Sequence, residues 1–76
     1  MLKVSILTAK EALFEGEAHS VFLPGDLGEF EVLPYHRPIM SLLRAGSIVL
    51  DWSSAIRIRR GVVRSDGREL VALVER

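Results

Sequence analysis

Few residues in this sequence have side chains whose types and spacing could do chemistry. The chain contains two histidines, His19 and His36, and no cysteine. Glu29 and Glu31 stand two positions apart in a β-prone stretch, so both carboxylates project from one face of a strand, where they could share a proton or hold a metal ion. Most pairs of this kind lie on the solvated face of an edge strand or hairpin. One interpretation is nevertheless a small hydrolase or metal-dependent enzyme that uses His36 with Glu29 or Glu31.

The known catalytic and phosphate-binding motifs are missing. No G-x-S-x-G nucleophile elbow occurs,. The stretch PGDLGE, which begins at Pro24, has two glycines, but no Lys-Ser or Lys-Thr follows, and its two acids would repel a phosphate,. A metal site needs more ligands at defined spacing than these histidines and carboxylates offer. We therefore expect no catalytic, cofactor or metal site.

Charge is balanced overall but unevenly distributed along the chain. Residues 1–31 carry two lysines against six acids, and residues 32–76 carry eight arginines against four acids, so the two halves sum to zero. A zero balance argues against the long-range attraction that nucleic-acid binders use. The alternative function is a small β-domain that binds nucleic acid through an arginine face formed by Arg57, Arg59, Arg60 and Arg64. No aromatic residues alternate with these arginines, and a solvated charged face is the commoner explanation.

The elements that must position these residues are strands, because the dominant apolar period is two. Alternation is clear in Leu2–Ile6, and in Ala55–Arg59 the isoleucines point inward and the arginines outward. Ile48, Leu50 and Trp52 share one phase, and residues 8–16 read as a turn, a short apolar step and a glycine break. Pro24–Gly25 is a turn signal, and Ser65–Arg68 predicts a type I′ hairpin turn before a last strand at Leu70–Val74. With no amphipathic helix, the pattern predicts a single all-β domain, a sandwich or barrel.

Several apolar residues fall on the phase opposite to the expected core. Phe22 opposes Val21 and Leu23, Leu33 opposes Val32, and Val71 and Leu73 oppose Leu70, Ala72 and Val74. Apolar side chains on the second face of a small sandwich are typical of a docking surface. A register shift at a bulge would bury them instead, and the sequence leaves both readings open.

The central stretch PGDLGEFEVLPYHRPIMSLLRAGSI, Pro24–Ile48, resembles the epsilon subunit of F-type ATP synthases, called delta in mitochondria. The family pattern combines Pro-Gly, two residues, Gly-Glu, then Leu-Pro-x-His-x-Pro and an apolar step to glycine. The matching residues are Gly25, Gly28, Glu29, Phe30, Leu33, Pro34, His36, Pro38 and Gly46. TAKEALFEGEAHSV upstream and IRIRRGVV downstream resemble the family too, although Arg60 replaces a usual glycine.

This resemblance implies a flattened ten-stranded β-sandwich of two mainly antiparallel sheets, without a catalytic site or cofactor of its own. It implies a place in the central stalk, docked on the gamma subunit and on the polar loops of the c-ring, where it couples proton- or sodium-driven rotation to ATP synthesis. The position would be peripheral, on the cytoplasmic face of the bacterial inner membrane, with no nucleic-acid partner.

The resemblance also implies residue roles. The c-ring contact falls on Gly25, Asp26, Leu27, Gly28 and Glu29, and the gamma contact falls on Thr8, His36, Arg37 and Ser41. Tyr35 and Arg37 replace residues that are commonly small, which makes both candidate contact residues. Typical family members continue into a C-terminal helical hairpin, whereas this sequence stops at Arg76. Either the chain belongs to a branch with the sandwich alone, or the sequence is a longer protein cut at the domain boundary. We expect the first, with residues 1–76 as one sandwich domain that couples rotation but neither inhibits by inserting helices nor binds nucleotide.

Overall fold

The computed structural model describes all residues from Met1 to Arg76 as nine β-strands, with no helix. The strands are β1 (Leu2–Leu7), β2 (Ala12–Ala18), β3 (Val21–Gly25), β4 (Gly28–Val32), β5 (Ile39–Leu43), β6 (Gly46–Leu50), β7 (Ser54–Ile58), β8 (Arg60–Ser65) and β9 (Glu69–Glu75). The all-β prediction is confirmed. The longest connection, residues 33–38, includes two prolines, which lack a backbone N–H and cannot donate to a ladder,. The structure thus has nine strands where the resemblance implies ten.

The strands form one curled sheet that divides into two layers. Its order is β2-β1-β9-β8-β5-β3-β6-β7, and β4 pairs with the remaining side of β3. A single residue pair, Gly25 with Leu43, joins β3 to β5. We call β2-β1-β9-β8-β5 the five-stranded layer and β4-β3-β6-β7 the four-stranded layer. All pairings are antiparallel except that of β1 with β9, so the predicted sandwich of mainly antiparallel sheets is confirmed.

One core lies between the two layers. Alternate residues of each strand point inward, as the period of two predicts. The core contains 15 buried apolar residues: Leu2, Val4, Ile6, Ala18, Val21, Leu23, Val32, Leu43, Ile48, Leu50, Ile58, Val63, Leu70, Ala72 and Val74. Burial of this apolar surface is the main contribution to stability, at about 25 cal/mol per Å². The fold contains no helix long and apolar enough to cross a lipid bilayer.

The prediction that Trp52 shares the inward face of Ile48 and Leu50 is wrong. Strand β6 ends at Leu50, and Trp52 lies in the β6–β7 turn with 63% of its surface exposed. Asp51 and Trp52 both have positive φ angles, 50° and 60°, and Ser53 N donates to Leu50 O at 3.1 Å. Positive φ at both central residues is the type I′ geometry that suits hairpins. The sheet therefore turns two residues earlier than the apolar pattern suggests.

The expected glycine break at Gly16 is also absent, because Gly16 lies inside β2 and pairs with Val4. A Cβ at Gly16 would come within 3.1 Å of Phe14 Cζ, so the Phe14 ring covers the place where a side chain would stand. An aromatic side chain that packs over a strand glycine restores the contacts that the glycine lacks. This contact explains why the strand continues through a residue that normally interrupts one.

The predicted β8–β9 hairpin is present, but its turn type differs. Ser65 pairs with Leu70, and within the connection only Gly67 has a positive φ, at 94°. A type I′ turn needs positive φ at both central residues. Asp66 instead stabilises the connection through its carboxylate, which accepts hydrogen bonds from the backbone N–H groups of Arg68 and Glu69, both at 2.9 Å.

Candidate docking surfaces

The β3–β4 hairpin brings together all five residues expected to face the c-ring. Gly25 pairs with Gly28 at its end, and Asp26 and Leu27 form the connection. We call residues 25–29 the hairpin tip. Leu27 is fully exposed, and the side chains of Asp26 and Glu29 also lie in solvent. The tip therefore presents one apolar side chain between two carboxylates, all three exposed to solvent.

Both glycines are required by the geometry of the tip. A Cβ at Gly25 would stand 2.6 Å from Phe30 Cε1 and 2.7 Å from Gly28 O, so no side chain fits there. Gly28 has a φ of 132°, a conformation that residues with a Cβ rarely adopt,. These constraints explain the two glycines around the Asp26–Leu27 connection without any appeal to phosphate binding.

Two backbone hydrogen bonds fasten the hairpin tip to the end of β5. Asp26 N donates to Leu42 O at 2.9 Å and Arg44 N donates to Pro24 O at 2.9 Å, and together these bonds pair Gly25 with Leu43. Backbone hydrogen bonds on both sides of the tip prevent it from moving independently of β5. The tip is thus a braced protrusion and not a free loop.

A second surface lies on the outer face of the five-stranded layer. The register places Leu42 opposite Val62, Val62 opposite Leu73, and Leu73 opposite Leu7. These four residues, which we call the apolar row, cross β5, β8, β9 and β1 in one line. Leu42 is 64% exposed and Leu73 is 53% exposed, while the other two are half-buried. Such a row of apolar side chains is typical of a surface that a partner covers.

The surroundings of the apolar row have the composition of an interface. Met40 and Val71 extend it on one side, next to Arg64, and a 3.0 Å ion pair between Arg60 and Glu75 borders it on the other. Open grooves of about 620 Å³ and 220 Å³ lie along it. An apolar centre within a charged rim is the usual anatomy of a protein–protein contact.

Sequence reasoning identifies only part of this surface. The sequence places Val71 and Leu73 on the phase opposite to the core residues of β9 and leaves open whether a bulge buries them. The structure shows that they lie on the outer face. The sequence does not identify Met40 and Leu42, because Ile39–Leu43 is apolar on both phases and its conformation stays undecided. The one polar residue of this stretch, Ser41, does not help, because it shares the inward phase of Ile39 and Leu43.

The four expected gamma-contact residues do not form one cluster. Thr8 lies at the end of β1, where its Oγ1 accepts from Lys10 N and Glu11 N at 3.1 Å and so holds the β1–β2 turn. His36 and Arg37 precede β5 at the opposite end of the layer, and His36 Nδ1 lies 2.8 Å from Arg37 O. Ser41 has the inward phase of β5 and donates to Leu42 O. The apolar row and its neighbours lie between Thr8 and His36.

The residues that a hydrolase or metal-dependent enzyme would use, His36 with Glu29 or Glu31, do not lie together. Glu29 is at the hairpin tip, whereas His36 follows the other end of β4. Glu31 Oε2 accepts a hydrogen bond from the buried Ser20 Oγ at 2.5 Å, which gives this carboxylate a structural role. No group of three or more His, Asp or Glu side chains gathers closely enough to hold a metal ion.

The arginines of the nucleic-acid interpretation do not share a face. Arg57 points outward from β7 in the four-stranded layer, whereas Arg64 points outward from β8 in the five-stranded layer. Arg60 is paired with Glu75. A phosphate backbone needs a continuous basic track, and these arginines lie on opposite sides of the sandwich.

The fold and its surfaces thus define a class: a small β-sandwich interaction domain with a braced hairpin and an apolar outer face. The model of the ATP synthase delta/epsilon chain β-sandwich domain matches residues 1–76. The chain belongs to this family.

Three relatives named ATP synthase epsilon chain illustrate the similarity. That of Sulfurimonas denitrificans is 41% identical over 78 residues, which cover 97% of this chain and 60% of the relative. That of Bordetella petrii is 40% identical, covering 90% of this chain and 40% of the relative. That of Wolinella succinogenes is 37% identical, covering 99% of this chain and 60% of the relative. The chain thus spans about half the length of these relatives.

Two solved structures share the fold at low sequence identity. A chain of the Tetrahymena thermophila mitochondrial ATP synthase central stalk and c-ring superposes with a TM-score of 0.78 at 12% identity, over 99% of this chain and 63% of that one. A chain of the Euglena gracilis mitochondrial ATP synthase gives a TM-score of 0.84 at 14% identity, over 99% of this chain and 51% of that one. These superpositions support the sandwich assignment for the whole length of the chain.

Proposed function

We propose that this chain is a non-catalytic coupling domain of the central stalk in a rotary ATP synthase. Its task is to connect ion-driven rotation of the c-ring with ATP synthesis in the catalytic head, through contact with both the ring and gamma. The observation that carries the proposal is the family match over all 76 residues. The two exposed surfaces support it, because a coupling domain must bind two partners at once.

The hairpin tip is the proposed contact with the polar loops of the c-ring. Asp26 and Glu29 offer carboxylates that can pair with basic residues of those loops, and Leu27 offers an apolar side chain between them. Ion pairs of this exposed kind contribute little individually, about 0–1 kcal/mol each. The braced backbone therefore matters as much as the charges, because a preformed tip loses little conformational entropy on docking.

The apolar row is the proposed contact with gamma. Its leucines and valine can be buried by an apolar surface of the partner, and the arginines and glutamate around them can remain at the solvated rim. With one surface on gamma and the other on the ring, the domain would lie at the cytoplasmic face of the bacterial inner membrane, as a peripheral component. The relatives described above come from bacteria.

The test is a double substitution in the apolar row, Leu42→Ser with Leu73→Ser. Both side chains are mostly exposed, so the isolated domain should remain folded,. Affinity for purified gamma should fall at least about tenfold, since central apolar contacts dominate interfaces. Leu27→Ser, at the fully exposed leucine of the hairpin tip, is the control outside the row and should bind gamma as the parent does. Equal binding of the double variant and the parent would exclude the apolar row as the gamma contact.

A further inference from the structure

The turn before β5 holds an aromatic residue in a conformation that suits glycine. His36 N donates to Leu33 O at 3.1 Å, which closes a four-residue turn with Pro34 and Tyr35 at its centre. Tyr35 has a φ of 66°. Proline followed by a residue of positive φ is the type II pattern, in which the second central position normally requires glycine or asparagine. A bulky side chain at this position strains the backbone.

The turn cannot relax because the β8–β9 connection holds it from the other side. Tyr35 N donates to Gly67 O at 2.7 Å. Gly67 is buried, and a Cβ there would stand 2.6 Å from His36 O. The two loops are therefore in close backbone contact at the residue that has the positive φ.

No side-chain hydrogen bond or ion pair of this turn compensates for the strain. The Tyr35 side chain is 82% exposed, and its phenol makes no hydrogen bond within the chain. Arg37, two residues further on, is exposed and forms neither of the two ion pairs in the structure. Backbone strain at an exposed residue points to a function outside the isolated fold.

The position of the turn shows which surface Tyr35 extends. The chain passes from the turn directly into β5, where Ile39 pairs with Ser65 and the outward-facing Met40 and Leu42 follow. Tyr35 and Arg37 thus lie in the connection that leads directly into the strand whose Leu42 belongs to the apolar row. The chain links them to the surface that we assign to gamma.

We propose that Tyr35 is an anchor residue for the partner that covers this outer face, with Arg37 as its polar companion. The phenol ring enters an apolar pocket on the partner, and the Arg37 guanidinium pairs with a carboxylate at the rim of that pocket. Tyrosine and arginine are the residue types that most often dominate binding energy at interfaces. The proposal rests on the proposed function, because it takes the partner to be gamma.

Trp52 provides a matched comparison within the same chain. It also has a positive φ, 60°, and is 63% exposed. It lies in the β6–β7 turn of the four-stranded layer, however, away from the outer face that carries the apolar row. A substitution at Trp52 therefore changes strain and aromatic exposure to a similar extent without touching the proposed contact.

The experiment measures the melting temperature and the affinity for purified gamma in the same variants. Tyr35→Gly should raise the melting temperature by roughly 4 °C, because glycine adopts the positive φ without strain. Its affinity for gamma should fall at least about tenfold. Tyr35→Asn should change both quantities in the same directions but less, and Tyr35→Phe should keep the affinity of the parent. Trp52→Gly should also raise the melting temperature but leave the affinity unchanged.

The outcomes separate this inference from the proposed function. If the parent chain binds gamma and Tyr35→Gly binds equally well, Tyr35 is not an anchor, although the docking assignment stands. If Trp52→Gly weakens binding as much as Tyr35→Gly, the effect is not specific to this turn and the inference is wrong. If the parent chain does not bind gamma, the proposed function fails, and the anchor role fails with it.

Discussion

At the scale of single residues, Asp66 shows how an exposed side chain can hold a turn. Its carboxylate accepts hydrogen bonds from Glu69 N and Arg68 N, and these bonds, the one from Glu69 first, lower the pKa of Asp66 below its ordinary value of 3.8. Hydrogen bonds to a carboxylate favour its ionised form. The β8–β9 connection that supports Tyr35 is therefore stabilised by a charge that acid can remove.

We expect the stability of the domain to fall as pH decreases through the lowered pKa of Asp66. The contribution of this group is fully present above the unfolded-state value of 3.8 and is lost on protonation of the folded state,. Asp66→Asn cannot titrate, so the stability difference between the parent and this variant should be largest near neutral pH and shrink in acid. Urea unfolding between about pH 6 and pH 2 measures this difference. A difference that stays constant with pH would show that Asp66 ionisation does not stabilise the turn.

At the scale of elements, Asp51 connects the β2–β3 corner with the β6–β7 hairpin. One carboxylate oxygen accepts from His19 N at 2.6 Å and from Ser20 N at 3.1 Å, and Asp51 N donates to Ser20 O at 2.9 Å. Ser20 is fully buried, and its hydroxyl bonds to Glu31 of β4. This network joins three strands of the four-stranded layer at one end.

Replacing Asp51 should destabilise the domain through this network. Asp51→Ala leaves the backbone donors of His19 and Ser20 without their acceptor, at a cost of about 1–3 kcal/mol. Asp51→Asn keeps one oxygen acceptor and tolerates the positive φ, so its loss should be clearly smaller. Chemical denaturation of both variants gives the two values, with Ser53→Ala as a control at the exposed side of the same turn. Equal losses for alanine and asparagine would mean that the hydrogen bonds contribute nothing measurable.

Alternation predicts those strands that have one apolar and one polar face. The inward phase of β1 follows directly from its sequence, as does the all-β class, whereas residues 70–74 of β9 are apolar on both phases. Strand β5 cannot be assigned in this way, because Met40 and Leu42 on its outer face are as apolar as Leu43 in the core. An apolar side chain on an outer docking face cannot be distinguished by residue type from one in the core.

The two candidate surfaces can be predicted from the sequence to different extents. The hairpin tip is contiguous in sequence, and its glycines mark a turn, so residues 25–29 can be placed without a structure. The apolar row draws one residue from each of four strands, so it exists only once the register of β5, β8, β9 and β1 is known. The prediction for Trp52 is wrong for a local reason, since the turn geometry at Asp51 ends the strand before the apolar pattern does.

At the scale of the whole molecule, the two candidate surfaces are connected through one strand. The Asp26 backbone in the hairpin tip donates to the carbonyl of Leu42, whose side chain belongs to the apolar row. Pro24 and Arg44 add a second link beside it. Under the proposed function, a force applied by the ring at the tip would reach the gamma contact through β5 rather than through flexible loops.

This connection predicts that a small change between the two surfaces will weaken coupling without removing either surface. A Cβ at Gly46 would stand 2.8 Å from Pro24 Cβ, so Gly46→Ala should push the hairpin away from the β5–β6 corner. Overpacking of this kind costs about 1–3 kcal/mol. In the reconstituted synthase, at a temperature where the variant is folded, gamma binding should be retained while ATP made per ion translocated falls. Ala45→Ser, at the exposed neighbouring position, should keep the ratio of the parent. An unchanged ratio in folded Gly46→Ala would show that the tip and β5 need not move as one body.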